Sequence, residues 1–150
     1  MATRDGVEIE HPNRARTASK LTRAAVIVLL LVSALLVAVI TLGAWDALVG
    51  ARAVQIAFVA LYVLFAVLIA RWSRGALPVA AALAVILAVF AAVSVPGWYD
   101  RDQAGFTDPA LAAGVVGLIT ALLVPLQVLL IAFAMRGFGQ AWNVEVERPA

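Results

Sequence analysis

The residues best equipped for chemistry lie in one polar stretch, Trp98-Tyr99-Asp100-Arg101-Asp102-Gln103-Ala104-Gly105-Phe106-Thr107-Asp108. Carboxylates, an arginine and aromatic rings crowded together suggest a cation site or a contact surface. On the twelve-residue calcium-loop pattern, Asp100, Asp102, Gly105 and Asp108 fall at positions 1, 3, 6 and 9. Ala104 then occupies position 5 and Leu111 position 12, where a bidentate glutamate is required. The pattern therefore fails at its principal anion, and no metal is assigned. Two readings remain. One is a solvated loop with Asp100 or Asp102 paired to Arg101 or to lipid headgroups. The other is a contact surface for a partner, formed by Trp98, Tyr99, Asp100, Arg101 and Asp102.

The single histidine, His11, precedes a proline in a polar head and has no second ligand type clustered near it. It reads as a solvated side chain. One histidine supports no convincing nucleophile–base–acid set, and the chain has neither a phosphate-binding glycine loop nor an HExxH pair. There is no cysteine, which removes thiolate metal sites, disulfides and palmitoylation together. No catalytic residue and no cofactor are assigned, and the chain is expected not to be an enzyme.

A second set of polar groups sits inside apolar runs: Ser33, Gln55, Tyr62, Thr120 and Gln127. Gln55 and Tyr62 are seven residues apart, so they share a helix face, as do Thr120 and Gln127. A glutamine in hydrocarbon requires a partner, so the two faces are expected to meet, each bond contributing ~0.6–2 kcal/mol. The alternative is a polar path for a solute through a midplane cavity. Such paths usually carry an ionisable group, and none of the runs holds one. Pro125 removes one backbone donor in the last run and is expected to kink that helix.

The tails form a third set. Val7-Glu8-Ile9-Glu10 and Val144-Glu145-Val146-Glu147 alternate apolar and acidic residues, which is strand periodicity. They can pair with each other, add to the sheet edge of a soluble partner, or remain disordered. Two strands alone are marginal in water, so pairing calls for a third element.

These groups must be positioned by elements that suit lipid. The chain has 150 residues, 65% of them hydrophobic, against about 45–50% in soluble domains. Mean hydropathy is +1.03. A chain this small cannot hide such an excess in one core. Uncharged apolar runs cover about residues 24–45, 53–70, 76–95 and 110–135, or 22, 18, 20 and 26 residues. A helix needs about 20 to cross the hydrocarbon core. The first run is too long for a secretory h-region and lacks a following cleavage site.

The ends of the runs carry boundary residues. Pro78 falls in the first turn of the third, which is expected to stop at Pro96-Gly97. Asp108 is the expected N-cap of the fourth, with Pro109 at its first position and Gly137 and Gly139 ending it. Trp45, Trp72, Trp98 and Trp142 all lie at or beyond run ends, where an indole suits the headgroup layer. Short connections make the first and second, and the second and third, helices expected antiparallel neighbours. Small-residue stripes (Ala34, Ala38 and Thr41; Ala81, Ala84, Ala88, Ala91 and Ala92; Gly114, Gly117 and Ala121) suit close helix packing.

Arginine and lysine fix the expected orientation. With the N-terminus inside, inner segments hold nine and outer loops two, Arg52 and Arg101. The expected fold is thus an all-α membrane protein, an antiparallel bundle of four transmembrane helices. A cytoplasmic head (1–23), a membrane domain (24–136) and a cytoplasmic tail (137–150) make up the chain. Arginine-dominated basic residues, with Lys20 the one lysine, point to GC-rich bacterial coding and an inner membrane. A net charge of +2 gives no reason to expect a nucleic-acid partner. The expected partners are the lipid bilayer and a membrane protein or a second copy. The expected role is a non-enzymatic structural, accessory or assembly subunit acting by contact. The alternative is a small-solute transporter or lipid-handling module.

Overall fold

A computed structural model describes residues 2–4, 6–105 and 109–149. Four helices are long and apolar enough to cross a membrane: α2 (Thr17–Gly43), α3 (Arg52–Ala70), α4 (Ala76–Arg101) and α5 (Ala113–Gly139). The protein is a multi-pass all-α membrane bundle. The one-turn helix α1 (Pro12–Ala15) precedes α2, and a 3₁₀ turn, Trp45–Leu48, joins α2 to α3. Strands β1 (Ala2–Arg4), β2 (Val7–Glu10) and β3 (Val146–Pro149) form a small sheet of order β1-β2-β3.

Helix packing uses the small-residue stripes in part: Ala34, Ala81, Ala84, Ala91 and Gly117 are buried, whereas Ala92 is exposed. On α4, Leu77, Ala80, Ala81, Ala84, Leu87 and Ala91 are buried at three- and four-residue steps, and Trp98 continues the line. The facing line on α5 is Val116, Gly117, Thr120, Leu123, Gln127, Leu130 and Ala134. Glycines set the approach at both ends of this antiparallel pair. A Cβ on Gly117 would stand 3.1 Å from Trp98 Cβ, and one on Gly137 would stand 3.1 Å from Leu77 Cδ1. Helix α5 also packs on α2, and α2 on α3. Without a hydrophobic drive between helices in lipid, close backbone approach of this kind supplies the attraction.

Several expected boundaries are corrected. Helix α2 begins about two turns before its apolar run, at Thr17. Ser19 and Thr22 in those turns are buried, so packing extends the helix past the polar change. Helix α4 does not stop at Pro96-Gly97 but continues to Arg101. Its last turn is held by Trp98, only 8% exposed, against Gly117. Helix α5 begins at Ala113, not near Pro109, which is non-helical. The reason is Leu111, whose amide donates to the Gly43 carbonyl at 2.9 Å while its side chain covers Gly43. Asp108, the expected cap, lies outside the described residues, as do Phe106 and Thr107. Helix α5 runs through Pro125 as one helix, with that proline exposed.

The neighbour relation of α3 and α4 is corrected too. A short turn joins them, yet they barely touch along their lengths. Helix α4 spends its small-residue face on α5, leaving α3 packed mainly on α2.

The tails meet in the sheet, two residues later on the C-terminal side than the alternation predicts. Glu8 lies opposite Arg148 and Ile9 opposite Glu147, and β1 supplies the third element, with Thr3 opposite Glu8. The β1–β2 hairpin reverses at Gly6, whose φ of +77° lies in the left-handed region open to glycine. The Asp5-Gly6 pair is a hairpin signal of that kind. Arg148 Nε stands 3.0 Å from Glu10 Oε2 across the sheet.

Candidate functional site

Three places concentrate polar or open structure: the middle of the bundle, the end that carries the termini, and the opposite end between α3 and α4.

At the middle, Tyr62 on α3 donates its hydroxyl to Gln127 Oε1 on α5 at 2.6 Å. Gln127 Nε2 in turn donates to Ser33 Oγ on α2 at 2.9 Å. All three are fully buried. One amide thus links three helices, using both of its ends. Thr120 is not part of this chain: it donates to the Val116 carbonyl at 2.7 Å, the local bond a helical threonine makes to the preceding turn. Gln55 lies higher on α3 and accepts from Thr41 Oγ1 at 3.4 Å. Of the four polar residues expected to face one another, the structure joins Tyr62 and Gln127 by a hydrogen bond, while Gln55 and Thr120 line one cleft but bond to Thr41 and Val116. Ser33, the second partner of Gln127, had a readable signal as a polar group inside an apolar run.

The terminal end is tied by bonds between distant parts of the chain. Asn13 Nδ2 donates to the Ala141 carbonyl and Arg14 Nε to the Trp142 carbonyl, both at 2.9 Å. Trp142 Nε1 donates to Gln140 Oε1 at 3.1 Å, and Gln140 Nε2 to Thr22 Oγ1 at 3.0 Å. Arg74 Nε donates to the Phe138 carbonyl at 2.8 Å while its guanidinium covers the Phe138 ring. Trp142 is fully buried and meets Trp72 edge-on at 5.1 Å. The expectation of Trp142 as a headgroup anchor is corrected: its ring is the core of this cap. Both residues just past the C-terminal ends of α3 and α5, Trp72 (φ +63°) and Ala141 (φ +50°), adopt the left-handed conformation that usually falls to glycine. His11 lies 3.3 Å from Glu145.

At the opposite end, the separation of α3 from α4 opens a cleft of about 330 Å³, at the lower edge of ligand-pocket volumes. Its floor is α2 and α5, with Val37, Ile40 and Leu123. Its α3 and α4 walls carry Phe58 and Phe90, and its rim carries the small residues Ala47, Ala51 and Gly97. Gln55, Ser94 and Arg101 add polar atoms. Of the expected outer contact surface, Trp98 and Arg101 line this cleft. Tyr99 and Asp100 are exposed, and Asp102 stands over Gly114 in the first turn of α5. A carboxylate there meets the positive end of the helix dipole. Near the mouth, Arg52 donates to the Trp45 carbonyl at 2.8 Å and stacks 4.4 Å over the Trp45 ring. No family model, curated protein or solved structure matches the chain.

Proposed function

We propose that this protein is a non-enzymatic accessory or assembly subunit that holds a transmembrane segment of a membrane-protein partner in the cleft between α3 and α4. The observation that carries this reading is the cleft itself. Two chain neighbours touch little beyond the edge contact of Phe58 with Phe90 at 6.4 Å, and the gap has small residues at its edge and these rings within it. Small residues admit a second backbone closely, and Gln55 and Ser94 offer the polar atoms that join helices in lipid. The volume suits a row of side chains from a partner helix rather than the helix entire. We place the protein in a bacterial inner membrane with both tails cytoplasmic, on the nine-to-two distribution of arginine and lysine. The cleft then opens on the outer half.

A midplane path for a solute has less support, because Tyr62, Gln127 and Ser33 already satisfy one another inside the bundle.

The absence of cysteine makes the test direct. Single variants Ser94→Cys and Gln55→Cys, labelled with a photoactivatable maleimide in native membranes, should yield discrete protein adducts. Val63→Cys, on an exposed face of α3, should yield none. Equal labelling from all positions, lipid adducts alone, or a purified chain that is strictly monomeric with nothing bound would overturn the reading.

A further inference from the structure

Three cations of the terminal cap are occupied: Arg14 and Arg74 donate to backbone carbonyls, and Arg148 pairs with Glu10. Lys20 and Arg23 differ. Neither forms an ion pair among the described residues. They stand three positions apart on α2, hence on one face. Beside them is a surface groove of about 420 Å³ lined by Lys20, Arg23, Ala24, Ile27, Val28 and Trp72.

The groove changes character along α2. Its upper part is two cations and an indole, with the Arg23 guanidinium 4.4 Å over the Trp72 ring. Trp72 is held in place by its edge contact with Trp142. Its lower part is the aliphatic face Ala24, Ile27 and Val28, where the apolar run begins. From Lys20 to Val28 the helix rises only about 12 Å. A charged layer followed at once by hydrocarbon matches an amphiphile that carries a negative head.

We propose that this groove binds an anionic phospholipid, its phosphodiester between Lys20 and Arg23 and one acyl chain along Ala24, Ile27 and Val28. Lys20 supplies a compact charge and Arg23 supplies directed donors, while the face of its guanidinium stays on Trp72. A choline headgroup would set its own cation beside Lys20, so charge selects against it. Free phosphate has the anion but lacks the chain that fills the aliphatic part. The inference is independent of the cleft and of which leaflet the groove faces.

The test uses the full chain in mild detergent, titrated with phosphatidylglycerol or phosphatidylcholine, with bound lipid read by native mass spectrometry. Wild type should retain one phosphatidylglycerol with about a thirtyfold preference, as two surface cations imply. Lys20→Gln should lower the preference about fivefold, and K20Q with R23Q should bring it near unity. Arg23→Lys, which keeps the charge, should stay within about threefold of wild type. Arg136→Gln, at the same end of the bundle but outside the groove, should change nothing. Equal binding of the two lipids would overturn the proposal. So would a preference that survives removal of both cations, an equal loss in R136Q, or displacement of the lipid by millimolar inorganic phosphate. Thermal unfolding checks each variant. Should the double variant not fold, Lys20→Gln, at an exposed position, decides alone.

Discussion

At one end of the bundle, Trp142, Trp72 and Leu77 interlock beneath the terminal segments, and side chains reach across the chain to backbone carbonyls. At the other end, α2, α4 and α5 are fastened by Leu111 on Gly43 and Trp98 on Gly117, but α3 stands off from α4. The composition of the helices does not explain the difference, since both ends are rich in alanine, valine and leucine. What differs is the supply of directed contacts. Lipid exerts no hydrophobic pressure to close a gap between helices. Where rings and hydrogen bonds bridge neighbours at several points, the bundle shuts; α3 and α4 share the edge contact of Phe58 with Phe90 but little else, and there it stays open.

That contrast can be broken most forcefully at Trp142. Truncation to alanine should cost about 3–5 kcal/mol, because a fully buried indole leaves a cavity in the cap. Trp45→Ala at the open end, where the ring is 40% exposed, should cost less than about 1 kcal/mol. Equal losses in thermal or denaturant unfolding would abolish the distinction between the ends.

The sealed middle comes next. Gln127→Leu leaves the Tyr62 hydroxyl without its acceptor in hydrocarbon and should cost about 1–3 kcal/mol. In a double-mutant cycle, Tyr62→Phe should couple to Gln127→Leu by about 0.6–1.7 kcal/mol. Additive effects would mean that the bond contributes nothing.

Ala141→Gly sharpens the comparison in the opposite direction. Its left-handed backbone should be relieved, raising stability by about 0.5–1 kcal/mol although a methyl group is lost. The smallest effect is expected at the cleft. Ser94→Leu should shift unfolding by no more than about 0.5 kcal/mol, yet partner capture should fall sharply. A large loss of stability there would indicate that the cleft is packed in the free protein.

The four spans are legible because lipid imposes a length and excludes charge, and those constraints appear in one dimension. The polar middle is half legible. Seven-residue spacing gives Tyr62 and Gln127 a face, but partner choice depends on hydroxyls that have a local alternative. Thr120 takes the carbonyl of its own helix, whereas Ser33 waits for Gln127. The cap is hardly legible at all. Asn13 to Ala141 and Arg14 to Trp142 end on backbone carbonyls, which every residue possesses, so no pattern of side chains announces them. Trp142 was ambiguous for a related reason, since an indole at a run end suits either the headgroup layer or a buried corner. The end of α4 depends on Trp98 meeting Gly117, a contact between segments that sequence reading treats separately.

The sheet has one more consequence, and it concerns assembly. Strand β2 is complete once Glu10 has been made, but its partner β3 begins at Val146. Everything between them must be threaded through the bilayer first. The two strands can meet only if the chain has crossed an even number of times. A molecule in which one helix fails to insert would hold its strands on opposite faces, and no later adjustment within the cap could join them. The sheet therefore acts as a parity check on insertion, closing only around a chain whose crossings come out even.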